Sequence, residues 1–181
     1  MSGNMIVIET ARLNIRKYTD EDTAALSAVL SDPLTMAFWP APFTSRQTEE
    51  WIERNIQSYL TQGFGRWAVE LKETGRLIGD AGIMKSELNG RVENDLGYII
   101  HSDYWRQGYA YEAAKSILSY AVQELGESNV RRSCSLTDSS VGGAAFCCSR
   151  YSKKDNYAEY TKKGWPLATR KKTESWIILI Q

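Results

Sequence analysis

Apolar and polar positions alternate loosely over residues 6–18, with Leu13 and Ile15 opposed to Asn14 and Arg16. A period of two predicts one half-buried strand there. Thr19 and Asp22 then stand three apart in the manner of a capping box, and Leu26, Val29 and Leu30 follow at helical spacing. Asp32-Pro33 ends that helix, because the residue before a proline disfavours helical geometry. After an unusually aromatic connection, Phe38-Trp39-Pro40-Ala41-Pro42-Phe43, a second capping box at Thr44 and Gln47 opens a helix. Its apolar face is Trp51, Ile52, Ile56, Tyr59 and Leu60, and Gly63 is its C-terminal stop. Strands are expected at 66–71 and 77–85 about a turn at Thr74-Gly75. The hairpin signal Asn89-Gly90 leads into a further strand at 92–101. From Gly108, residues Ala110, Ala113, Ala114, Ile117, Leu118, Ala121, Val122 and Leu125 make a broad helical stripe closed by Gly126. Residues 130–136 read as the next strand, and 157–160 and 176–180 as late ones. No repeat or linker divides the chain, so residues 1–181 read as a single domain mixing strands and helices.

Composition narrows the functional classes. Lys plus Arg equals Asp plus Glu, at 22 each, so the broad basic field that nucleic acid attracts is absent. No run approaches the 18 or more apolar residues of a membrane span. The first ten residues lack the basic start and apolar stretch of a signal peptide. Cys134, Cys147 and Cys148 are odd in number and crowded, which is no disulfide framework. With His101 the only histidine and no second cysteine pair, no metal site is expected. The chain reads as cytoplasmic, with no membrane or nucleic-acid partner.

The stretch with chemical content is a strand, a short turn and a helix: Leu96 to His101, Ser102 to Gln107, then Gly108-Tyr109-Ala110. A helix start without side-chain bulk presents backbone N–H groups and the positive end of the helix dipole, which together bind an anion such as a pyrophosphate. Gly108 allows close approach of the backbone. Locally, an ordinary turn glycine is an equal reading. A dinucleotide fingerprint, a Walker-type phosphate loop and a nucleophile elbow are all excluded by missing residues.

At the level of longer stretches, residues 8–126 resemble the GNAT acetyltransferase superfamily, in its ribosomal-protein N-acetyltransferase (Rim-like) branch. The stretches that carry the resemblance are Glu9-Thr10-Ala11-Arg12-Leu13, Leu30-Ser31-Asp32-Pro33, Gly65-Arg66-Trp67-Ala68-Val69, Gly75-Arg76-Leu77-Ile78-Gly79, Leu96-Gly97-Tyr98-Ile99-Ile100 and the run from Asp103 to Ala113. The resemblance implies an α/β (α+β) fold: a mixed, twisted sheet of about six to seven strands flanked by helices and splayed between the fourth and fifth main strands. It implies an N-acetyltransferase that takes acetyl-CoA as cosubstrate and an amine acceptor, a protein N-terminus or a small amine, and works as a monomer or homodimer. The pantetheine arm would follow the backbone of Ile99, Ile100 and His101. The pyrophosphate would sit on Arg106, Gln107, Gly108, Tyr109, Ala110 and Tyr111. Arg106 stands where this branch usually has glycine.

For the proton transfers, a carboxylate base is expected. Alternation puts Glu93, Asp95, Gly97 and Ile99 on one face of their strand and Asn94, Leu96 and Tyr98 on the other. Asp95 stands where many members of the family carry an acidic residue before Leu-Gly-Tyr, so the resemblance makes it the first choice for the base and Glu93 the second, against a plain solvated carboxylate as the competing reading. Residues 138–155 depart from the family, with paired glycines and clustered cysteines where it has a helix. A compensated frameshift over 141–154 would account for the departure; taken as genuine, the segment offers Tyr151 as the acid. The alternative function is a non-catalytic acyl-CoA-binding sensor on the same fold.

Overall fold

The structure is a computed structural model that describes residues 5–37, 39–88, 91–126, 129–131 and 151–152. Its elements in chain order are β1 (Ile6–Glu9), β2 (Leu13–Arg16), α1 (Thr23–Leu30), α2 (Ser45–Gln62), β3 (Arg66–Leu71), β4 (Leu77–Leu88), β5 (Arg91–Ile100), α3 (Tyr109–Gln123), β6 (Asn129–Arg131) and β7 (Tyr151–Ser152). β1 to β5 form an antiparallel sheet in chain order. β6 joins β5 in parallel, through Asn94 with Val130 and Asp95 with Arg131, and β7 runs antiparallel to β6.

Helix limits follow the capping residues. The Thr44 hydroxyl accepts from the Gln47 N–H at 3.3 Å, and the Gln47 side chain accepts from the Thr44 N–H at 2.8 Å. Gly63 ends α2 in the left-handed region at φ 81°. Gly108, at φ 82°, precedes α3. The first strand is the departure. Residues 6–18 are two antiparallel strands, not one, because the Thr10 hydroxyl accepts from the Leu13 N–H at 2.9 Å and folds the chain back. The Asn89-Gly90 hairpin, residues 132–136 of the expected fifth strand, the late strands at 157–160 and 176–180, and residues 138–150 and 153–155 of the divergent segment lie outside the described residues.

The two faces of the sheet have different covers. The Trp51 indole of α2 donates to Asp80 on β4, so α2 lies over the face of Arg66, Asp80 and Gly97. Tyr120 of α3 meets Trp67 of β3 edge-on at 5.9 Å on the opposite face. α3 buries Ala113, Ile117 and Ala121, each 0% exposed, at a spacing of four. Two alanines in that stripe let the helix lie close to the sheet, which fixes where its N-terminus points.

Candidate active site

The turn between β5 and α3 is wound from its own hydrogen bonds. The His101 carbonyl accepts from the Tyr104 N–H at 2.9 Å, and His101 Nδ1 accepts from the Asp103 N–H at 3.2 Å. The Trp105 indole donates back to the Ile100 carbonyl at 2.7 Å. Gly108 O accepts the first intrahelical bond of α3, from the Glu112 N–H at 3.0 Å. The N–H groups of Tyr109 and Ala110 precede that bond, so they and the helix dipole face out of the helix end. Arg106 is the one non-glycine residue with positive φ among those described, at 62°. Gly108, left-handed at φ 82°, stands directly before the right-handed residues of α3, and such a step turns successive N–H groups toward a common point, a concavity suited to an anion.

The glycine this position usually carries in the Rim-like branch thus has a conformational reason, and Arg106 adopts the same backbone at a cost of roughly 1–2 kcal/mol. Part of that is offset in Arg106→Gly by the entropy of an added glycine. The variant is expected to gain about 0.5–1 kcal/mol, seen as a rise of about 2 °C in the thermal midpoint. A lower midpoint would mean that the Arg106 side chain makes a compensating contact.

Two braces from elsewhere in the chain hold the turn. At its start, the Ser102 N–H donates to Thr35 Oγ1 at 2.9 Å and the Ser102 hydroxyl to Asp32 at 3.0 Å. Burial alone would raise the Asp32 pKa, but the bonds from Thr35 and Ser102 prevail and lower it. At its end, Arg12 donates to the Gln107 carbonyl at 3.0 Å and to Glu112 at 2.7 Å, and stacks 4.2 Å from the Tyr109 ring centre. Glu112 also accepts from the Thr10 hydroxyl at 2.7 Å. Its pKa is lowered as well: burial acts upward, and is outweighed by the bonds from Thr10 and Arg12.

β5 supplies the other edge of the site. The His101 N–H donates to Ile78 O at 2.9 Å, and Asp80 pairs with Ile99, so the odd residues direct their backbone groups toward β4. Tyr98 and Ile100 therefore direct theirs to the β6 side. Of the expected pantetheine strand, Ile100 alone has its N–H on that edge, and its carbonyl already accepts from Trp105.

On the α2 face, Asp95 is half-buried opposite Met84. Two residues along, Gly97 lies beneath the guanidinium of Arg66; a Cβ at 97 would run into Arg66 Nη1. Arg66 is ion-paired with Asp80, which also accepts from the Tyr18 hydroxyl at 2.5 Å and Trp51 Nε1 at 3.1 Å. Burial, then the Asp80 charge, pushes the Tyr18 pKa well up. Trp39 and Phe43, from the aromatic connection, pack edge-on against each other at 5.2 Å and against Trp51 at 6.3 and 5.9 Å. Glu93 pairs with Ser86. Tyr151 of β7 faces Val130, which faces Asn94, so its backbone stands two strands, about 10 Å, from β5. The sequence singles out the turn and Asp95 as candidates; Arg12, Glu112, Asp32, Thr35, Arg66 and Asp80, which the structure brings around them, carry no local signal. Several of these sit in the stretches that carry the family resemblance.

The acetyltransferase (GNAT) domain family matches residues 12–141. The chain belongs to that family. The GNAT chain is 32% identical over 127 residues to the uncharacterized N-acetyltransferase YoaA of Bacillus subtilis, covering 68% of itself and 71% of the relative. It is 33% identical over 116 residues to YkkB of the same organism, covering 64% and 67%. A GNAT-family acetyltransferase structure from Bacillus anthracis superposes with a TM-score of 0.59 at 25% identity, covering 69% of this chain and 71% of that one. The ribosomal L7/L12 acetyltransferase RimL in complex with coenzyme A shares the fold, with a TM-score of 0.58 at 13% identity and coverage of 70% and 73%. GNAT enzymes use acetyl-CoA and an amine acceptor. The residues of the turn suit that cosubstrate: N–H donors at a helix start, and a Gly108 where even a Cβ would meet only Arg12, at 3.5 Å. Among the described residues, no helix is long and apolar enough to cross a membrane, and no group of three or more His, Cys, Asp or Glu is placed to hold a metal ion.

Proposed function

We propose that this GNAT chain transfers the acetyl group of acetyl-CoA to the primary amine of a protein N-terminus or a small molecule. The observation that carries the reading is the left-handed pair Arg106 and Gly108 opening onto the N-terminus of α3, a fixed anion seat for a pyrophosphate. In this reading Arg106 to Tyr111 hold the pyrophosphate, and the pantetheine lies along residues 99–101, where Ile100 alone turns its N–H to that edge while Ile99 and His101 bond to β4. β6 pairs with β5 at Asn94 and Asp95, before this stretch of the strand is reached. The cosubstrate supplies an acyl group activated as a thioester. The chain's part is to hold it still, to take a proton from the acceptor ammonium and to return one to the departing thiolate. Asp95, with Glu93 second, is the base; Tyr151 is the acid.

A coupled thiol-release assay with acetyl-CoA and a panel of amines and N-terminal peptides tests this. Release that depends on one class of amine is expected. Acetyl-CoA binding without turnover across the panel would instead make the chain an acyl-CoA sensor, and absence of binding would defeat both readings.

A further inference from the structure

Arg12 lies outside the pyrophosphate turn in sequence yet determines how one of its peptide planes faces. Its Nη1 donates to the Gln107 carbonyl at 3.0 Å, while Nε and Nη2 each reach Glu112 Oε2 at 2.7 Å. Its backbone N–H donates to Glu112 Oε1 at 2.9 Å, beside the bond from Thr10. The C=O and N–H of a trans peptide point in opposite directions. With the Gln107 carbonyl held toward Arg12, the Gly108 N–H must point away from it, into the space before α3. Gly108 is the residue at which that plane rotates most cheaply, since glycine takes positive and negative φ about equally. A flip would put a carbonyl oxygen where the anion seat needs a donor.

Glu112 adds a second reason. It is a carboxylate in the first turn of α3, stabilised there by the helix dipole, but it repels a pyrophosphate at the same helix end. The guanidinium of Arg12, lying between Glu112 and the Gln107 carbonyl, neutralises that carboxylate.

We infer that Arg12 is a positioning residue for the cosubstrate: paired with Glu112, it locks the Gln107–Gly108 peptide so that the Gly108 N–H serves the pyrophosphate. This rests on the reading of Arg106 to Tyr111 as the pyrophosphate seat. Arg12 itself is 44% exposed at the side chain, so its replacement leaves the core intact.

The test uses the full chain in wild-type, Arg12→Ala and Arg12→Lys forms, with three readouts. In calorimetry, coenzyme A should bind the alanine variant about 10- to 100-fold more weakly, the range expected for loss of one or two charged hydrogen bonds. Arg12→Lys should recover only part of this, because an ammonium lacks the planar fork that reaches Glu112 and the Gln107 carbonyl together. S-acetylpantetheine has no pyrophosphate, so with any amine accepted by the wild type the variants should lose less turnover with it than with acetyl-CoA, and an equal loss with both overturns the lock. In the protein without ligand, the Gly108 amide resonance should shift or double in Arg12→Ala. Equal coenzyme A affinity across the three forms, or an unchanged Gly108 resonance, overturns the lock. Absence of coenzyme A binding by the wild type, with the Gly108 resonance still responding, would remove the pyrophosphate reading and leave Arg12 as a brace of the turn only.

Discussion

Asp80→Ala lowers the folding free energy by about 3–5 kcal/mol, the range seen when one partner of a buried ion pair is removed. The carboxylate is 0% exposed and sits at the meeting point of three elements. It is paired with Arg66 of β3 and accepts from Tyr18, at the end of β2, and from Trp51 of α2. Truncation strands a 7% exposed arginine without its charge partner and leaves two buried donors without an acceptor. Domains of this kind are stable by only about 5–15 kcal/mol, so the loss is a large share of the whole. Urea denaturation is the measurement: the midpoint should fall steeply at constant slope. Tyr18→Phe removes one donor and keeps the ion pair, so it should cost about 1.5–3 kcal/mol. The double change Arg66→Met, Asp80→Leu removes both charges and should be less destabilised than Asp80→Ala. A cost below about 1 kcal/mol for Asp80→Ala would mean that the Arg66 charge reaches water despite its burial.

That network explains a feature of the sequence that periodicity leaves mute. Leu96-Gly97-Tyr98 looks like an ordinary strand with a weak residue in the middle. The glycine is there because Arg66 crosses β4 to reach over it, and any Cβ would displace the guanidinium. Arg66 and Asp80 are fourteen residues apart, and Arg12 and Glu112 one hundred apart. No spacing rule links such residues, since a strand or helix period fixes only neighbours on one face. What was legible was local. Thr44 with Gln47, and Gly63, set the ends of α2 because caps act within a turn of themselves. Gly108 marked the start of α3 for the same reason. The break between β1 and β2 was not legible, because residues 6–18 keep an alternating pattern while the Thr10 side chain competes for the backbone. The turn before α3 is local and so was readable, whereas the braces that hold it come from the connection between α1 and α2 and from the β1–β2 turn.

Asp95→Asn should lower kcat/KM for the amine acceptor by about 10²- to 10⁴-fold, the usual contribution of a positioned general base. The residue is half-buried on the α2 face of β5, two positions from the glycine under Arg66. Asparagine keeps its size and a hydrogen-bonding oxygen, so packing is preserved while the proton acceptor is lost. Coenzyme A affinity should stay at the wild-type value, because the turn before α3 is held by Arg12, Glu112, Asp32 and Thr35. The pH profile separates a base from a merely structural carboxylate. Without a base, only acceptor already neutral in solution reacts, so the rate of the variant should rise about tenfold per pH unit below the amine pKa. At a pH near that of the free amine the variant should approach the wild type. Glu93→Gln is the companion, since Glu93 shares the face two residues earlier. If it carries the loss and Asp95→Asn does not, the base moves one step along β5. If neither variant is slower, no carboxylate of β5 takes the proton, and the acceleration must come from holding the two reactants together, which alone supplies up to about 7–11 kcal/mol.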